Sequence, residues 1–156
     1  MTFDARYRRR GFTIIELLST VTIIGILAGI AMTRAGDSLE LARAARAAAD
    51  LSALAREIVS MDSLPTSLAA IGRGTLLDPW GHPYVYLKVL VDPNTGNTTN
   101  LGSLRKDRFV VQTNWQFDLY SMGPDGRSSL PLTSPLGRDD IIVAGDGGFV
   151  GPASNY

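Results

Sequence analysis

Glu16 is the one ionisable side chain in FTIIELLSTVTIIGILAGIAM, the run from Phe12 to Met32. A carboxylate costs roughly 2.5–3.5 kcal/mol near the centre of a bilayer and less toward its edge, so it calls for water or a cation. Severing the chain between Gly11 and Phe12 would supply that cation. Phe12 would gain an α-ammonium group four residues from Glu16, or on a neighbouring copy within reach of it. This is ion-pair chemistry, and the rest of the chain points away from bond-making chemistry. There is no cysteine and a single histidine, His82, so no thiolate nucleophile, thiolate zinc site or disulfide framework can form. Neither G-x-S-x-G nor a metal-histidine pattern occurs. His82 reads as a surface or packing residue, because no nucleophile-base-orienter set assembles around it.

The element that positions Glu16 is legible directly. From Phe12 to Met32 the run is long enough, at ~1.5 Å per residue, to cross a hydrocarbon core of about 30 Å. Fifteen Lys and Arg balance fifteen Asp and Glu over 156 residues, so no basic excess suggests a nucleic-acid partner. The distribution is uneven: Arg6, Arg8, Arg9 and Arg10 crowd before the span and the rest leans acidic. That asymmetry places the N-terminus in the cytoplasm and the C-terminal domain outside. A conventional secretory signal cut near Gly29-Ile30-Ala31 is the competing reading; its apolar core would be shorter and would have no use for Glu16.

Past Met32, SLELARAARAAADLSALAREIVSM holds strong helix formers and no proline, which predicts one helix from Phe12 to about Ser60. Leu39, Ala42, Ala45 or Arg46, Ala49, Ala53, Leu54 and Ile58 mark its expected apolar face. Leu64-Pro65 ends it. Strands are expected at Tyr84–Val91, Arg108–Thr113, Phe117–Ser121, Ile141–Ala144 and Gly148–Val150, with an exposed polar loop from Asp92 to Lys106. Gly145-Asp146-Gly147-Gly148 reads as a turn.

The string RRRGFTIIELL resembles the leader of type IV prepilins and type II secretion pseudopilins: basic residues, glycine, phenylalanine, then glutamate as fifth residue of the mature chain. LLDPWGHPYVY (76–86) is similar to the DPWGNPY element of the major pseudopilin, with His82 for asparagine. FDLYSMGPDG (117–126), followed by Arg138-Asp139-Asp140-Ile141, resembles that group's run into an acidic pair. The resemblance implies an α+β, pilin-like fold, in which a long N-terminal helix packs on a small antiparallel sheet. It implies that a prepilin peptidase cleaves between Gly11 and Phe12 and methylates Phe12, and that Glu16 serves assembly. It also implies calcium held by Asp125 with Asp139 or Asp140 and by backbone oxygens near Leu119 and Ser121. Hard oxygen donors on a glycine-containing loop suit that ion, although the same string also makes an ordinary Pro-Asp-Gly turn.

The expected organisation is a leader (1–11), a transmembrane and filament-core helix (12–32), its amphipathic continuation (33–62) and an extracytoplasmic β-rich domain (63–156). The resemblance further implies an inner-membrane precursor that becomes a periplasmic filament of its own copies, with minor pilin-like subunits and an inner-membrane assembly platform as partners. Two alternatives stay open: a subunit of a surface type IV pilus, and, from another class, a membrane-anchored monomeric binding module.

Overall fold

The computed structural model describes residues 11–107 and 109–156, with the backbone alone for 33–35. The leader arginines and Arg108 lie outside the described residues. Helix α1 runs Ile14–Val59, close to the expected bounds. Strands β1 (Val85–Lys88), β2 (Phe117–Ser121), β3 (Ile141–Ala144) and β4 (Phe149–Pro152) form one antiparallel sheet in chain order. The fold is α+β and consistent with a pilin. The chain divides into two compact units, one ending at Leu39 and one from Glu40 to Tyr156.

In the first unit α1 is apolar and exposed: Ile14 is 90% accessible and Phe12 77%. It is the one helix among the described residues that is long and apolar enough to cross a membrane, with a mean hydropathy of 2.2. Apolar side chains left uncovered in this way need lipid or protein around them.

In the second unit the buried face of α1 keeps Leu54 and Ile58 of the expected one and otherwise differs from it. Ala47, Leu51, Leu54, Ala55 and Ile58 are buried, with Ala44 and Ala48 beside them, whereas Ala42, Ala45, Arg46, Ala49 and Ala53 are exposed. Alanine at so many positions leaves the helical phase ambiguous; the bulky Leu51, Leu54 and Ile58 set it, because each gains about 1.5–3 kcal/mol on full burial. They pack with Tyr84, Phe117, Leu119, Ile141 and Val143 of the sheet region. Strands β2 and β3 are almost wholly buried, while a second cluster of Leu132, Ile142, Ala144 and Ala153 lies apart from the first.

The expected strand at Arg108–Thr113 does not form. Asp107 folds the chain there: its Oδ1 accepts from the amides of Phe109 at 2.8 Å and Val111 at 2.9 Å. Asx bonding of this kind competes with strand pairing, and Val110 adopts a φ of 63°. The segment before it is the exposed loop that its polarity suggests until its end, where Leu104 and Arg105 are 2% and 1% accessible.

Candidate processing and assembly site

Thr13 and Glu16 begin α1 as a capping box. The Thr13 hydroxyl accepts from the Glu16 amide at 3.3 Å, and Glu16 Oε2 reaches back to the Thr13 amide at 3.4 Å. The T-x-x-E spacing provides two donors of the first turn with acceptors. Glu16 thus has a local role in the uncut chain, at the positive end of the helix dipole, which the sequence argument for a cation had not included. Gly11 and Phe12 lie just ahead of this first turn as exposed, non-helical residues, so the peptide bond between them is accessible.

Farther along, the two C-terminal motifs meet each other. Buried Asp78 accepts through Oδ1 from the amides of Trp80 at 3.0 Å and His82 at 2.8 Å, and through Oδ2 from the Ser121 hydroxyl at 2.6 Å. Ser121 Oγ in turn accepts from the Gly123 amide at 3.1 Å, and the Gly123 carbonyl lies 3.0 Å from His82 Nδ1. The Asp-Pro-Trp-Gly turn and the Gly-Pro-Asp-Gly turn are therefore one hydrogen-bonded unit, and His82 is a packing residue in it. A side chain at Gly123, whose φ is +65°, would put its Cβ 2.4 Å from the Asp139 carbonyl oxygen. Gly123→Ala is accordingly expected to cost about 2 kcal/mol, combining left-handed backbone strain with a contact that main chain cannot relieve. Chemical denaturation of the variant checks this.

Aromatic residues from the first motif tie it to α1 and to the segment that follows it. Trp80 Nε1 donates to Glu40 at 2.9 Å, Tyr84 to Asp50 at 3.0 Å and Tyr86 to the Pro65 carbonyl at 2.9 Å. The Trp80 bond holds the Glu40 carboxyl below its ordinary range. Burial, then the Asp50 carboxylate, pushes the Tyr84 phenol well above its own. Trp80 is half-buried and Tyr84 buried, in line with the packing role expected for the turn.

The expected calcium donors sit in different local settings. Asp125 is exposed and its Oδ1 accepts from the Arg127 amide at 2.8 Å. Leu119 sits mid-strand between Tyr86 and Val143. Asp140 is fully buried, with Oδ2 2.6 Å from Arg105 NH1 and accepting from Ser128 at 2.8 Å. Burial raises its carboxyl above the ordinary range, against the opposing pull of Arg105. Asp139 Oδ1 and Asp140 Oδ1 are buried without hydrogen-bond partners, yet no group of three or more acidic or His side chains among the described residues could hold a metal. One Asp140 oxygen is thus given to a guanidinium. Gly145–Gly147 is a single 3₁₀ turn, as expected, and Asp146 closes it by accepting from the Trp115 and Gln116 amides at 2.9 and 3.1 Å.

Arg105 was not singled out by its sequence context, a polar stretch between two turns. The only hint was that a long apolar-poor loop carried Leu104 beside a cation.

A long N-terminal helix, apolar in its first half and joined to a small antiparallel sheet, is a pilin-like arrangement. The prokaryotic N-terminal methylation motif matches residues 6–32. The chain is also similar to type II secretion system core protein G of Pseudomonas aeruginosa, at 25% identity over 147 residues covering 78% of this chain and 88% of the relative. No solved structure matches. Within the pilin-like class the chain is pseudopilin-like.

Proposed function

We propose that the chain is a filament subunit of a type II secretion system, where a periplasmic pseudopilus assists protein export across the outer membrane. The observation that carries this reading is the coincidence of the methylation motif with similarity to core protein G over most of both chains. In this reading a prepilin peptidase cuts between Gly11 and Phe12 on the cytoplasmic side and methylates Phe12. The span holds the subunit in the inner membrane with its C-terminal domain in the periplasm. An assembly platform then passes it into a filament with further pilin-like subunits. Glu16 exchanges its Thr13 partner for the Phe12 ammonium of a neighbouring copy, and the exposed apolar face of α1 trades lipid for protein. Head-to-tail contacts that do not close build a helical polymer.

Mass spectrometry of the filament protein tests the reading at its root. The expected N-terminus is Phe12 bearing one added methyl group; a chain beginning near Met32 would make this an ordinary secreted protein. Deletion then separates the two filament systems. Loss of export with motility intact supports the pseudopilus, and lost motility with export intact transfers the subunit to a surface pilus.

A further inference from the structure

We propose that Arg105 is a built-in cation that locks the β2–β3 connection, residues 122–140, and makes that loop independent of a divalent ion. The guanidinium is 1% accessible and Asp140 0%. NH1 lies 2.6 Å from Asp140 Oδ2. The other terminal nitrogen donates to Ser128 Oγ, which donates to the same Oδ2 at 2.8 Å. The guanidinium carbon stands 3.5 Å from the centroid of the Tyr120 ring. Arg105 therefore touches strand β2 at Tyr120, the middle of the connection at Ser128 and its end at Asp140. A divalent ion in an acidic loop joins chain segments similarly, by sharing its positive charge among oxygens from separate places.

The backbone reinforces the arrangement. The Lys106 amide donates to the Leu130 carbonyl at 2.8 Å and the Leu132 amide to the Lys106 carbonyl at 3.0 Å. The Arg105 amide donates to Asp118 Oδ2 at 2.9 Å. Residues 105 and 106 are thereby laced to the connection on one side and to β2 on the other, so the guanidinium is held where it acts. A planar, permanently charged group that can also stack on a ring is well suited to the place; a lysine would supply charge without the fork. The bridge replaces one function of the ion that the resemblance implies, and it does not depend on the filament reading.

Trypsin reads the state of the loop, because Arg127 and Arg138 within it are exposed cleavage sites. The full-length protein in detergent micelles is digested in millimolar calcium chloride and in excess EGTA. Equal cleavage rates after Arg127 and Arg138 are expected for the wild type, and Arg105→Gln is expected to raise both rates at least tenfold in either condition. A several-fold acceleration of wild-type cleavage by EGTA would overturn the proposal, as would an Arg105→Gln protein cleaved at the wild-type rate. Where Arg105→Gln does not fold, the neutral pair Arg105→Met with Asp140→Leu decides. The proposal requires this pair to be more stable than Asp140→Leu alone, which strands the buried guanidinium; the reverse order refutes the coupling.

Discussion

Asp78→Ala is expected to lower the stability of the Glu40–Tyr156 unit by about 4 kcal/mol, a larger loss than a typical single substitution. The carboxylate is 4% accessible and satisfies three donors: the Trp80 and His82 amides and the Ser121 hydroxyl. Truncation leaves the buried Ser121 hydroxyl and the two part-buried amides without acceptors, at roughly 1–3 kcal/mol each before relaxation. It also removes the link between the Asp-Pro-Trp-Gly turn and β2, so Trp80 and Tyr84 lose their fixed approach to α1. Ser121→Ala removes only one arm of the same unit and should cost about 1 kcal/mol. Urea unfolding followed by tryptophan fluorescence measures both, and equal losses for the two variants would show that Asp78 does not anchor both turns.

Glu16→Ala is expected to abolish filament assembly while leaving membrane insertion and cleavage after Gly11 intact. The side chain lies inside the first turn of α1 and bonds only locally, at the limit of hydrogen-bond length. In the filament reading it then provides the counter-charge for a buried ammonium group, and removing one partner of such a pair costs about 3–5 kcal/mol per subunit. Over a polymer that loss recurs at every contact. Glu16→Gln preserves part of the cap and no charge, so it separates the two roles. Filaments from Glu16→Gln but not Glu16→Ala would assign the residue to helix capping. Normal filaments from both would remove Glu16 from assembly.

The legibility of the chain followed how local its physics was. The span, the α1 boundaries, β2 and β3 could be read because each is a long or strongly patterned run whose hydrophobicity decides it. The helical phase beyond Met32 could not, since alanines at Ala42, Ala45, Ala49 and Ala53 resemble those that are buried until the sheet selects a face. The strand expected at 108–113 failed on a single side chain, Asp107, which offered the backbone a nearer acceptor than a neighbouring strand could. Among the site residues, those at the N-terminus and in the two turns were visible as motifs. Arg105 was not, because its partners Tyr120, Ser128 and Asp140 come from 15 to 35 positions away and no spacing rule connects them.

The two aromatic tethers to the helix, with a third just past it, have a mechanical consequence. Glu40 and Asp50 are ten residues apart, about 15 Å along α1, and Pro65 lies beyond its end. A load directed along the axis would strain the Trp80 indole and Tyr84 phenol bonds together, in shear, whereas a sideways load would peel one after the other. The domain is thus built to resist being dragged lengthwise by its own helix, the direction in which a subunit would be drawn out of a bilayer.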